Sequence, residues 1–319
     1  MKKIHCLTPV YNDWESFEVL TSQLEALQKK HDKEYVFSLI AINDGSTEVN
    51  SLSKTSLNIT LIHLKINIGH QRAIATGLQY IYNEIDDTDY VVVMDCDGED
   101  KPEDIISLIE KAGENNHKKI IFAQRRKRQE TVFFKFGYVI YKKLFKLFTG
   151  QKISFGNFSV IPEALLSKVV HQNNIWNHFS GGVIQSKIPF DKVLLDRGKR
   201  FHGASKMNFY NLTIHGLSSI SVYFDFLSLR ILKFTLYGIL LCAISIFYIL
   251  YQKIFTDNAI PGWASSLTLI LTGIMLQLFT VTLIVLLLQL SSRKNIAVPN
   301  SKTYVDFIES KDYYHKNLK

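Results

Sequence analysis

Cysteine is scarce in this 319-residue chain: Cys6, Cys96 and Cys242 lie far apart and form no C-x-x-C pair. That excludes a disulfide framework and gives no zinc-site spacing, and it points to a reduced, cytosolic catalytic part. No G-x-G-x-x-G and no G-x-x-x-x-G-K-[ST] occurs, so neither a dinucleotide fingerprint nor a P-loop is available to cradle phosphate. Internal repeats and low-complexity tracts are absent as well. Lys2 and Lys3 precede an apolar run from Ile4 to Val10, but Pro9, Asn12 and Asp13 cut it short of a signal-peptide core. It reads as a first β-strand.

Long stretches that are both apolar and free of charge occur only near the C-terminus. Phe234 to Tyr251 and Leu267 to Leu290 carry no charge, and each is long enough as a helix to cross about 30 Å of hydrocarbon. Buried core helices are the alternative, which the lengths disfavour. The connection from Gln252 to Ser266 holds only Lys253 and Asp257 as charges, whereas Arg230, Lys233, Arg293, Lys294 and Lys302 flank the outer ends. The positive-inside rule then predicts a hairpin integral to the cytoplasmic membrane, with the catalytic domain and both termini in the cytoplasm. A formal net charge of +8 suits either nucleic acid or an anionic membrane. The hairpin decides for the lipid bilayer, and no nucleic-acid partner is expected.

Ahead of the hairpin, Val- and Ile-rich runs alternate with helix-like segments. Strands are predicted over Ile4 to Val10, Tyr35 to Ile42, Ile59 to Leu64, Tyr90 to Met94 and Ile120 to Ala123. Between the first two, Phe17, Leu20, Leu24 and Leu27 recur at helical spacing after Asp13, an expected N-cap. Strand and helix in alternation predict an α/β fold, a mostly parallel sheet covered on both faces, with ligands beyond the carboxyl ends of the strands. Two further segments are amphipathic. In one, Phe133, Phe136, Ile140, Leu144, Leu147 and Phe148 share a face opposite Lys135, Lys142 and Lys146; the other, Asn208 to Phe226, leads into the first long helix. Either a membrane interface or the sheet can take such a face. The expected organisation is a catalytic domain over 1–207, an interfacial segment over 208–229, two transmembrane helices within 230–291 and a tail over 292–319.

The sequence "VVVMDCDGEDKPED", residues 91 to 104, sets a dense acidic stretch behind a strand. If the pleat continued, Asp95 and Asp97 would face one way about 6.5 to 7 Å apart, with Glu99 next, a pattern suited to a hard divalent cation. "AINDGST" puts Asp44 and Gly45 at the end of the second strand, where the pair reads either as an ordinary turn or as a carboxylate for a nucleoside. "DRGKRFHGASKMN" gathers Arg197, Lys199, Arg200 and Lys206 around Gly203 and Ser205, and Arg125 to Arg128 form a second basic cluster. Anionic headgroups or substrate phosphates can meet these clusters. His70, His178 and His215 read as structural or peripheral, while His202 is a functional candidate because it lies inside the basic segment.

In order, "TPVYND", "NDGS", "NIGHQRAIATGL", "DCDGEDKPED", "RRKR", "GNFSVIP" and "RFHGASKM", followed by two apolar spans, resemble family 2 glycosyltransferases that act on polyprenyl phosphates. The group includes dolichyl-phosphate mannose synthases and bacterial undecaprenyl-phosphate enzymes. The resemblance implies a GT-A fold with a C-terminal hairpin. It implies that Thr8, Pro9, Tyr11, Asp44 and Asp95 bind the nucleotide, and that Asp95, Asp97 and Glu99 bind Mg²⁺ or Mn²⁺. Arg125, Arg200, Ser205 and Lys206 would hold acceptor phosphate or donor pyrophosphate, and Gly156 and Asn157 would lie near the sugar. Asp95, Asp97 and Arg200 would be the catalytic residues. Relatives usually read D-L-Q-D-P-P-E here, so Gly98 replaces Leu, Glu99 replaces Gln and Lys101 replaces Pro.

The implied reaction is an inverting, metal-dependent transfer from a UDP- or GDP-sugar to a membrane polyprenyl phosphate, whose anionic oxygen needs no strong protein base. Cell-envelope glycan synthesis, a separate flippase and self-association of the hairpin as a homo-oligomer belong to the same expectation. A processive polysaccharide synthase is disfavoured because no Q-x-x-R-W segment occurs. A catalytically silent membrane scaffold is the other alternative.

Overall fold

A computed structural model of the chain describes residues 1–48, 55–125, 150, 156–202, 218, 220–256, 262–294 and 300–314. It divides into two units, one comprising residues 1–136, 153–222 and 298–319, the other residues 137–152 and 223–297.

The first unit is built on one sheet of eight strands: β1 (Lys2–Val10), β2 (Tyr35–Asn43), β3 (Asn58–Leu64), β4 (Tyr90–Val93), β5 (Ile120–Arg125), β6 (Ser159–Pro162), β7 (Phe190–Leu195) and β8 (Ile308–Tyr314). Their spatial order is β7-β5-β6-β4-β1-β2-β3-β8. β1 lies parallel to β2 and β4, β2 to β3, and β5 to β7; only β6 and β8 run against their neighbours. The period-2 pattern explains why the centres of β1 and β2 are mostly apolar and β4 is apolar throughout. Ile4, Cys6, Leu39, Ala41 and Val92 face one core with α1 (Trp14–Lys30) and α3 (Asp104–Glu114). Leu7, Ile40, Ile42, Val91 and Val93 face the other with α2 (His70–Glu84), α4 (Glu163–Val170) and α5 (Phe179–Gln185). Strands covered on both faces have no polar side to give up, so alternation of hydrophobicity disappears.

The expected N-cap of α1 is only half met. Asp13 occupies the position, but its side chain makes no capping hydrogen bond.

The stretch 292–319, read as a tail, contains a strand. After the long helices the chain returns to the sheet, where β8 pairs antiparallel with β3 from Ile59 opposite Tyr314 to Leu64 opposite Ile308. Gln79, fully buried in α2, anchors the approach: its Nε2 donates to Asn300 O at 2.8 Å and to Val170 O at 3.1 Å, and its Oε1 accepts from Tyr304 N at 3.1 Å. Tyr304 is buried, and its hydroxyl donates to Glu84 Oε1 at 2.5 Å.

The second unit holds α6 (Phe224–Phe255) and α7 (Trp263–Lys294), which contain the two expected spans and are long and apolar enough to cross a membrane. They pack as an antiparallel pair. Gln289 Nε2 donates to Asp225 Oδ1 at 2.7 Å, Ser228 Oγ donates to Gln289 Oε1 at 2.6 Å, and Thr282 Oγ1 donates to Thr235 Oγ1 at 2.8 Å. Gly238 admits close approach, since a Cβ there would fall 2.8 Å from Leu278 Cδ1. Leu236, Leu241, Phe247, Leu269, Leu276 and Phe279 face outward. Paired polar groups inside and bare aliphatic groups outside are what a lipid solvent selects. The amphipathic stretch 133–148 and residues 208–217 lie outside the described residues.

Candidate active site

The switch point of the sheet lies between β1 and β4, whose connections lead toward opposite edges of the sheet. There the last rung, Met94 N donating to Leu7 O at 3.0 Å, delivers the chain to Asp95. The expected continuation of the pleat does not occur. Asp100 Oδ2 accepts from Asp95 N at 3.0 Å and Asp97 Oδ1 accepts from Glu99 N at 2.9 Å, so side-chain acceptors replace a strand partner and turn the backbone. Gly98 sits in this turn at φ +88°.

Around the turn, each carboxylate meets a cation. His70 Nε2, at the start of α2, stands 3.2 Å from Asp95 Oδ1. Arg200 donates to Asp97 Oδ2 at 2.7 Å. Arg125, at the end of β5, spans Glu99 Oε2 at 3.1 Å and Asp100 Oδ1 at 2.8 Å. Arg197 also pairs with Glu99 Oε2. These contacts set the protonation. Burial works against the Asp95 charge, but His70, Arg125 and Arg200 outweigh it and its pKa is lowered. Burial and the Asp95 charge together raise Asp97, against the pull of Arg200, and push Asp100 up to about 7. Packing around His70 disfavours its cation, yet Asp95 more than compensates and the His70 pKa rises.

The segment after β7 is fastened to the same turn. Gly198 N donates to Glu99 O at 3.0 Å and Phe201 N to Asp97 O at 2.9 Å. The approach is too close for side chains: a Cβ on Gly198 would fall 2.1 Å from Gly98 O, and one on Gly98 would fall 2.7 Å from the Phe201 ring. Gly98 is therefore required by both its φ and its neighbour. Gly98→Ala should cost about 2 kcal/mol or more, combining left-handed strain with displacement of Phe201. A melting temperature within 1 °C of the parent would contradict this.

The remaining predicted residues divide. Thr8 is buried in β1 with Oγ1 lacking a hydrogen-bond partner among the described residues, and Pro9 O accepts the Cys96 thiol at 3.7 Å. Tyr11 lies at the end of β1, 44% exposed. Asp44 is buried and already accepts from Ile68 N at 2.7 Å and Gly69 N at 3.0 Å, tying down the loop that leads into α2; burial raises its pKa against those bonds. Asn157 Nδ2 is 3.2 Å from His70 Nε2, and Gly156 is exposed beside it. His202 meets Glu15 Oε2 at 3.5 Å. Ser205 and Lys206 lie outside the described residues. His70 and Arg197 were not among the predicted site residues. The signal for His70 was its place at a helix start after "NIG", facing the carboxyl ends of the strands.

A divalent cation suits part of this donor set. Asp95 Oδ1 is buried and takes no aligned hydrogen bond despite the nearby imidazole, and a deprotonated, unsatisfied carboxylate oxygen is what a hard ion requires. Asp97 lies two residues on with both oxygens in hydrogen bonds. Glu99 departs from expectation, because two guanidinium groups take its carboxylate. Among the described residues no three His, Cys, Asp or Glu side chains gather as a metal cluster.

Residues 6–165, half of the chain, match the model of glycosyl transferase family 2. The chain belongs to that family. This glycosyltransferase is 27% identical over 288 residues to the uncharacterized glycosyltransferase YkcC of Bacillus subtilis (strain 168), covering 85% of this chain and 84% of the relative. It is 26% identical over 176 residues to the undecaprenyl-phosphate 4-deoxy-4-formamido-L-arabinose transferase of Photorhabdus laumondii subsp. laumondii, covering 53% and 51%. Among solved structures, mannosyl-3-phosphoglycerate synthase from Rubrobacter xylanophilus superposes with a TM-score of 0.50 at 13% identity, over 69% of this chain and 72% of that one. The glycosyltransferase thus has a GT-A fold, a mostly parallel sheet with helices on both faces, followed by two apolar helices.

Proposed function

We propose that this glycosyltransferase moves a sugar from a nucleotide-sugar donor to a polyprenyl phosphate at the cytoplasmic face of the membrane. The observation that carries the reading is the pairing, at the switch point, of an unsatisfied Asp95 oxygen with a ring of arginines beside it, in a chain that also carries two bilayer-length helices. The partial likeness to an undecaprenyl-phosphate transferase supports the acceptor.

In the reaction a phosphate oxygen of the acceptor bonds to the anomeric carbon as the carbon–oxygen bond to the nucleoside diphosphate breaks. The diphosphate leaves with the electron pair, and the configuration inverts. The acceptor is already anionic near neutral pH, so no base is required. A divalent ion held by Asp95 and Asp97 would supply Lewis-acid stabilisation of the leaving group. Arg200, and Ser205 and Lys206 beyond it, would position the two anionic groups and offset their repulsion. Thr8, Pro9, Tyr11 and Asp44 would line the base and ribose, and Gly156 and Asn157 the sugar.

The test is direct. Detergent-purified full-length protein is incubated with labelled UDP- and GDP-sugars, undecaprenyl or dolichyl phosphate, and Mn²⁺ or Mg²⁺. A lipid-extractable labelled product that depends on the metal is expected. Failure with every donor would leave the silent-scaffold reading standing instead.

A further inference from the structure

Glu99 is the member of the expected metal trio whose carboxylate meets two guanidinium groups. Its Oε2 receives both Arg125, from the end of β5, and Arg197, from the segment after β7. Its main chain is used as well, since Glu99 O accepts from Gly198 N at 3.0 Å. The side chain is 19% exposed and Arg197 26%, so this is a partly desolvated bridge rather than a loose surface pair, which solvent would weaken. A neutral Gln here could accept from a guanidinium but would leave two cations only half compensated. We infer that Glu99 is a positioning residue: it pins the 197–201 segment to the Asp97 turn, and so presents Arg200 to the acceptor phosphate.

The proposal deepens the transferase reading in that acceptor binding is what it expects to change, but its primary test does not depend on catalysis. Trypsin cuts after Lys199 and Arg200, and a pinned segment resists cutting. In full-length protein, Glu99→Ala is expected to speed cleavage there at least tenfold, and Glu99→Gln to lie between it and the parent. Arg197→Gln should reproduce the effect, and the Glu99→Gln/Arg197→Gln double variant should show less than the product of the single effects. Mn²⁺ affinity, read by calorimetry with UDP or GDP present, should stay within about twofold of the parent in Glu99→Ala. Where transfer is measurable, acceptor KM should rise more than tenfold while donor KM changes little, with partial rescue by Gln.

A tenfold loss of Mn²⁺ affinity with unaltered cleavage would make Glu99 a metal ligand and overturn the proposal. Unaltered cleavage together with unaltered Mn²⁺ affinity would overturn it too. If no donor or acceptor supports transfer, the transferase reading fails while accelerated cleavage still upholds the pin. Accelerated cleavage with unchanged acceptor KM in an active enzyme would remove the positioning role.

Discussion

Asp95→Asn is expected to lower transfer by about 10³-fold or more while leaving the protein folded and the hairpin inserted. The substitution keeps size and shape. The Asp95 amide still donates to Asp100 Oδ2, so the turn survives. What disappears is the charge on an oxygen that is buried and lacks an aligned donor, the atom best suited to a hard cation. Loss of one electrostatic element aimed at a developing charge costs about 10² to 10³, and loss of a metal costs more. Asp95 also holds His70 above its ordinary pKa. The variant should therefore shift that imidazole downward, visible as an acid-ward move of its NMR titration. Full activity in Asp95→Asn would remove the metal assignment; a collapsed melting temperature would show instead that the carboxylate is structural.

Removal of residues 300–319 is expected to abolish soluble folding of the catalytic unit. Three losses combine. The β3 edge is bared along the register from Ile59 to Leu64, and an exposed, unpaired edge invites aggregation. Gln79, completely buried, keeps Val170 O but loses Asn300 O and, on its Oε1, Tyr304 N, and an unsatisfied buried acceptor costs about 1–3 kcal/mol. Burial of Tyr304 itself is forfeited, and truncating a large buried side chain costs about 3–5 kcal/mol. The sum is comparable with the whole stability of a typical domain, about 5–15 kcal/mol. Tyr304→Ala, which keeps β8, should lower stability by about 3 kcal/mol in denaturant titration. A truncated protein with the parent's melting temperature would mean that β8 only decorates the edge.

Parts of this structure were plain in the amino-acid order. β1 to β5 were readable because strands buried on both faces are nearly all apolar, and Asp95 stood out as the first charge after such a run. The long helices were legible from composition alone. β6 and β7 went unread because "SVIP" and "FDKVLL" are short, and a few apolar residues fit a helix turn as well as a strand. β8, "IESKDYY", has the alternation of an edge strand with little buried surface, and its partner lies some 250 positions earlier in the chain. Spacing also located Glu99 without disclosing its partners: a carboxylate two residues from another looks alike whether it faces a metal or two guanidinium groups. Its two neighbours, Arg125 at the end of β5 and Arg197 after β7, come from distant parts of the chain and are not visible in that spacing.

The return of β8 to the sheet carries a topological corollary. Strands on either side of the α6–α7 pair belong to one hydrogen-bonded layer, so the polypeptide leaves a single folded sheet and rejoins it. Whatever passes through a bilayer between those points must do so an even number of times, a parity fixed by backbone pairing and independent of lysine and arginine counts. If both helices cross a bilayer, deleting one of them would leave the closing strand on the far side of the lipid from the edge it completes.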